Sequence, residues 1–366
     1  MSRTKGLIGV GAGLAAAGVG AALGVAAERW SVERRRHVPA GEAYGSVRGR
    51  PRTVHADDGT DLYVEVDEPD PVDDSASEGE VLAEQRSVVP TIVFSHGFCL
   101  TQDIWHFQRT WLRGRYRLVL WDQRGHGRSG EGPPGHYTVD QLGRDLHSVI
   151  EAVAPEGPLV LVGHSMGGMT VMALAAQFPN LVRERVVGVA FVATSSGGLA
   201  EVGWGLMPSL ARAAHKLAPT TVASLARTPK LVARTRQVGR DLEELLVKRY
   251  SYASPVSPEL VRFTARLIAA TPLPVVAGFL PTFDLHDKSE ALTLLDGVEG
   301  LVLAGEKDLL TPPDHSEEIV RRLPGAEHVL VPDAGHLVML EHPDDVNLNL
   351  GDLLDRVERV LEHTAS

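Results

Sequence analysis

The stretch Gly163-His164-Ser165-Met166-Gly167-Gly168 sets a lone hydroxyl among glycines, between a branched apolar run and a segment rich in methionine and alanine. A serine hydroxyl is a poor nucleophile until a base takes its proton, and that base needs an acid to hold its orientation. Two later stretches carry those residue types, Gly305-Glu306-Lys307-Asp308 and Pro332-Asp333-Ala334-Gly335-His336, and each follows a short apolar run. Ser165, Asp308 and His336 therefore supply, in chain order, a nucleophile, an orienting acid and a base suited to attack on a carbonyl. A fourth stretch, Ser95-His96-Gly97-Phe98-Cys99, also follows an apolar run. Gly97 lets the backbone curve there, which makes the N–H groups of Phe98 and Met166 the candidate donors to an oxyanion. Cys99 is read as a small buried apolar group, since no separate base serves it.

Such residues need a frame. Leu159–Val162 reads as a strand buried on both faces, and Met166, Met169, Met172, Ala173 and Ala176 recur at helical spacing until Pro179. Strand and helix are joined by almost nothing. Gly163 and Gly167 leave room for that sharp turn, which pushes the serine out at the carboxyl edge of a sheet. With 37 glycines in the chain the pentapeptide alone carries little weight. The other strands carry more. Thr91–Phe94, Arg117–Leu120, Val186–Val192, Leu301–Ala304 and His328–Val331 all read as short buried strands, mostly separated by helical stretches. That alternation predicts an α/β fold with a mostly parallel sheet and helices on both faces. A hairpin is expected ahead of them, from Arg52–Ala56 through Asp57-Asp58-Gly59 to Leu62, Val64 and Val66.

One interval is too long for a simple crossover. Between Thr194 and Asp287 the pattern stays helical, with helices expected over Leu206–Leu217, Leu231–Lys248 and Pro258–Ala270, and it reads as an inserted helical cap. Trp204, Met207, Leu210, Phe263, Leu267, Phe279 and Phe283 are apolar candidates there, either for an acyl pocket or for the cap's own core. The expected organisation is an apolar run with a basic flank over 1–36, a linker over 37–51, the α/β core over 52–194 and 288–360, the cap over 195–287 and a tail over 361–366. Residues 67–86 read as a solvated acidic loop.

Composition bounds the partners. A net charge of −11 argues against nucleic acid, and a single cysteine excludes an intrachain disulfide and a Cys-rich metal site. Gly6 to Ala27 is an uncharged run of 22 residues, about 33 Å long as a helix and so able to span a bilayer. It reads as a membrane anchor, with a secretory signal cleaved after Ala27 and a soluble or disordered tail as the alternatives. Arg29, Arg34, Arg35 and Arg36 outnumber Arg3 and Lys5 across the run, which favours a cytoplasmic catalytic domain. Nothing in the pattern sets an oligomeric state.

Taken with the segment Asp122-Gln123-Arg124-Gly125-His126-Gly127-Arg128-Ser129, these stretches resemble the α/β-hydrolase superfamily over residues 52–360, most closely its serine esterases and perhydrolase-like members with a helical cap. The resemblance implies a small-molecule acyl substrate, an acyl-enzyme on Ser165, His336 as base oriented by Asp308, and neither metal nor organic cofactor. It also implies a loop-shaping role for Asp122, Arg124 and His126. Relatives that open epoxides or cleave carbon–halogen bonds carry aspartate at the turn, where this chain has Ser165. Acyltransferase, C–C hydrolase and peptidase chemistry would use the same three residues. A ligand-binding module without chemistry needs none of them.

Overall fold

The computed structural model describes residues 43–71, 89–202 and 240–365. An eight-stranded sheet forms the centre, built from β1 (Arg50–His55), β2 (Asp61–Asp67), β3 (Thr91–Ser95), β4 (Arg117–Trp121), β5 (Leu159–His164), β6 (Val186–Val192), β7 (Glu299–Gly305) and β8 (Glu327–Val331). Their spatial order is β1-β2-β4-β3-β5-β6-β7-β8. The first two ladders are antiparallel and the other five parallel. Every residue of β3 and β5 is buried. Alternate side chains serve different cores: Ile92, Phe94, Val160 and Val162 pack in one, while Val93, Leu159 and Leu161 pack in the other. This two-sided burial is why these strands read as unbroken apolar runs.

Helices cover both faces: α1 (His106–Leu112), α2 (Val139–Val153), α3 (Met166–Gln177) and α4 (Pro179–Arg185) precede β6. Between β6 and β7 lie α5 (Arg240–Ser251), α6 (Pro258–Ala270) and α7 (Leu273–Asp284), followed after β7 by α8 (Pro313–Arg322), α9 (Val338–Glu341) and α10 (Pro343–Ala365). The α6 bounds are those expected from the sequence: Ser257 caps it by accepting from Leu260 N–H, and Pro258 occupies its first turn. Thr271-Pro272 ends it, and α7 departs at 92°. The two ends of this excursion are stitched together by a Gly197–Asp287 bridge and by Lys288 N–H donating to the Ser196 carbonyl at 2.7 Å. The helix expected over 206–217, and residues 231–239 of the next, lie outside the described residues, as does the apolar run 6–27. No single described helix is long and apolar enough to cross a membrane.

The structure corrects four expectations. Residues 43–49, expected within a linker, are tied to the core. Arg48 pairs with Asp103, Gly49 N–H donates to Glu65 at 2.9 Å, and Tyr44 packs on Phe263 at 5.5 Å between ring centroids. Asp67 is not a loop carboxylate but ends β2, where both its oxygens accept from buried Arg109 at 2.7 and 3.0 Å. β8 is an edge strand with only Val331 buried, so it is a partly exposed strand rather than one buried throughout. The last helix continues through 361–365, with no separate tail at 361.

The strand order reverses between β3 and β5. Chain connections leave that pair in opposite directions, which opens a crevice at their carboxyl ends. Gly97 follows one of these strands and Ser165 the other.

Candidate active site

Ser165 sits between β5 and α3 with φ 51° and ψ −118°, a conformation an L-residue adopts only under strain of about 1–3 kcal/mol. The glycines make that turn sterically possible. A Cβ on Gly167 would collide with the Ser95 carbonyl oxygen, and one on Gly163 would run into the Gly167 backbone. The backbones of the β3 loop, the β5 end and the α3 start therefore close on one another without side chains between them. The first amides of α3 stand next to Ser165, at the positive end of the helix dipole.

The β3 loop is held from behind by buried imidazoles. His96 Nδ1–H donates to the Gly97 carbonyl at 2.7 Å, and its Nε2 accepts from Gln123 N–H at 2.9 Å. His126 donates from Nδ1 to the Arg124 carbonyl at 2.9 Å and accepts Cys99 N–H on Nε2 at 3.0 Å. Each ring thus makes one donor and one acceptor contact, the pattern of a neutral tautomer. Burial keeps them uncharged, with His96 lowered to about 3 and His126 to about 4. Asp122 accepts Gln102 N–H and Arg128 N–H, both at 2.9 Å, and Arg124 forks onto Asp145 through Nε and Nη2, each at 2.6 Å. These contacts are the loop-shaping that the resemblance implies. Cys99 is only partly buried, at φ 58°, and its surroundings push the thiol up to about 12, away from thiolate chemistry.

Asp308 follows β7 and His336 follows β8. Asp308 Oδ2 lies 2.8 Å from His336 Nδ1 and also accepts from Thr311 Oγ1–H at 2.8 Å, while Oδ1 accepts from Leu310 N–H (2.8 Å) and Thr311 N–H (3.0 Å). With Nδ1–H given to the carboxylate, Nε2 is left as the basic nitrogen. Ser165 and His336 line the same cavity, of about 300 Å³. No hydrogen bond joins the two side chains among the described residues. Such contacts often tighten only when substrate is bound.

Ser165, Asp308, His336, Phe98, Met166, His96, Gly97, Gly163 and Gly167 are thus brought to one edge of the sheet. The apolar candidates divide. Phe283 and Phe98 line the cavity and face each other at 5.0 Å, whereas Phe263 and Phe279 are buried in packing. Leu267 is partly buried against the main core, and Trp204, Met207 and Leu210 lie outside the described residues. Three contributors carry no role in the sequence reading, although two of them, His164 and Gln123, stand within its quoted stretches. Thr311 orients Asp308 from three positions along the chain. Gln123 ties the His96 carbonyl to Thr170 of α3. His164 lies beneath His336. Place within or near those stretches is an unspecific signal.

Comparison with known proteins follows the same lines. An α/β hydrolase fold family model matches residues 90–343. The chain is 29% identical over 274 residues to the sn-1-specific diacylglycerol lipase ABHD11 of Mus musculus, covering 72% of this chain and 80% of that one. It is 40% identical over a shorter stretch of 92 residues to the bifunctional esterase/perhydrolase DCH of Acinetobacter calcoaceticus, 25% of this chain and 33% of that one. A thermophilic esterase from Thermogutta terrifontis superposes with a TM-score of 0.63 at 23% identity, over 84% of this chain and 99% of that one. A mostly parallel sheet with this order, a strained turn at its switch point and a family match across more than half the sequence lead to one assignment: the chain belongs to the α/β-hydrolase fold family.

Proposed function

We propose that this protein is a serine hydrolase of carboxylic esters or related acyl compounds, with Ser165 as nucleophile, His336 as base, Asp308 as its orienting acid, and the Phe98 and Met166 amides as oxyanion donors. The observation that carries the reading is the strained Ser165 turn opening into the same apolar cavity as an imidazole already bonded through Nδ1 to a buried carboxylate. In the first step His336 Nε2 takes the Ser165 proton while Oγ bonds to the acyl carbon. The same proton then leaves with the alcohol as the acyl-oxygen bond breaks. Water, deprotonated by His336 in turn, attacks the acyl-enzyme and releases the acid. Phe98, Leu280 and Phe283 give the cavity an apolar wall suited to an acyl chain.

A panel of p-nitrophenyl esters of graded chain length tests the substrate class. Turnover is expected with a defined length optimum, and Phe283→Ala is expected to move that optimum to longer chains several-fold while leaving fluorophosphonate labelling of Ser165 intact. An unchanged ranking in Phe283→Ala would remove Phe283 from substrate selection, and no turnover of any ester would remove the esterase reading. Hydrogen peroxide added to the same assay reads perhydrolysis, the second activity in the name of the Acinetobacter relative.

The uncharged run 6–27 supports a membrane anchor. Full-length protein is expected in the membrane fraction, and a chain lacking residues 1–36 is expected to be soluble and equally active. Recovery of the full-length chain in the cytosolic fraction would overturn this part of the reading.

A further inference from the structure

The residue just before Ser165 has no role in the chemistry described above, yet it is among the most completely enclosed polar groups in the fold. His164 ends β5 and is 0% exposed. Its Nε2 lies 3.1 Å from the main-chain carbonyl oxygen of His336, so Nε2–H donates to the segment that carries the candidate base, across 172 positions of sequence. The two imidazoles also pack together, with centroids 4.8 Å apart and planes at 56°. The other ring nitrogen, Nδ1, is buried without a hydrogen-bond partner among the described residues. It faces Gly97, where a Cβ would come within 2.6 Å of it.

An orphaned buried acceptor costs about 1–3 kcal/mol, and an apolar side chain of similar shape would avoid that cost. An imidazole here is therefore poor for stability alone. Its donor reaches the His336 carbonyl, its ring props the His336 ring, and its Cα is bonded through one peptide to the Ser165 backbone. Burial and the neighbouring His336 hold it neutral, so it adds no charge beside a base that must become positive.

We infer that His164 is a positioning residue that fixes the distance between Ser165 Oγ and His336 Nε2 by gripping the backbone of the base from within the nucleophile's own turn. The role rests on the reading of Ser165 and His336 as nucleophile and base. It requires an N–H donor at the Nε2 position and a flat side chain, from a residue that also lines the cavity.

The test compares His164→Phe, which keeps the ring and removes the donor, with His164→Gln, whose amide nitrogen can stand close to the place of Nε2. Both are assayed on a p-nitrophenyl ester beside the parent protein, and all three are treated with a fluorophosphonate. His164→Phe is expected to lose about 10- to 100-fold in kcat with KM within twofold, as displacement of a reacting group by a fraction of an ångström to 1 Å does. His164→Gln is expected to recover kcat to within a few-fold of the parent. Equal kcat in His164→Phe and the parent would overturn the inference, as would a folded His164→Gln no better than His164→Phe. If His164→Phe does not fold, His164→Gln decides alone: kcat near the parent supports the donor role, and a loss of tenfold or more overturns it. A parent that takes no label at Ser165 overturns the reading beneath the inference. A labelled parent with an indifferent His164→Phe overturns the inference only.

Discussion

Ser165→Ala is expected to abolish covalent labelling by a fluorophosphonate and to lower kcat for ester hydrolysis by at least about 10⁴-fold, leaving only what the oxyanion donors and substrate binding supply. The substitution removes one oxygen from a cavity wall, and alanine meets the same positive φ that serine does. The melting temperature should therefore barely move, which separates lost chemistry from lost fold. Asp308→Asn is expected to be nearly as severe for a different reason. The amide oxygen can still accept the Leu310 and Thr311 N–H groups, so the loop stays in place. The amide NH₂ then faces His336 Nδ1 and demands an acceptor there. That moves the ring proton to Nε2, where the base must instead be empty. Ester turnover within tenfold of the parent in either variant would sink the assignment.

The strands and the strained turn were legible in the sequence because their signals are local. A strand buried on both faces must be apolar throughout, and two glycines flanking a serine at two-residue spacing have few uses other than bringing backbones together. Contacts made across the chain were not legible. Nothing near Arg48 indicates that Asp103 will pair with it, so residues 43–49 looked like linker and are in fact packed. His164 carries no mark of its contact with His336, and Gln123 none of its bridge between the His96 carbonyl and Thr170. The partial exposure of β8 was also hidden. His328–Val331 has the residue types of a buried strand, and only the strand order shows that it lies at the sheet edge. The apolar residues between β6 and β7 were ambiguous for the same physical reason: a cavity wall and a helix core call for identical side chains.

The buried imidazoles make a second large effect, on stability rather than rate. His96 is lowered to about 3, and His126 and His286 to about 4, each chiefly by burial, against about 6.5 for an unfolded chain. Below pH 6.5 the unfolded state takes up these protons, while the folded state refuses them until pH 4 or lower. The unfolded state then binds more protons, so stability falls as the medium is acidified. His164, held well below the ordinary value, acts in the same direction. Asp122 opposes them: burial raises it to about 6, so the native state gains a proton there before the unfolded state does. These four imidazoles against that one carboxyl leave a net excess of about three protons on the unfolded chain near pH 5, or about 4 kcal/mol lost per pH unit. For a domain held together by about 5–15 kcal/mol, one unit is a large share. Urea unfolding at pH 7, 6 and 5 is therefore expected to show a midpoint that already falls between the first two and falls more steeply toward the third. A midpoint constant from pH 7 to pH 5 would mean that these rings take up protons in the folded protein, and that the supports of the β3 loop are open to water rather than sealed beneath the site.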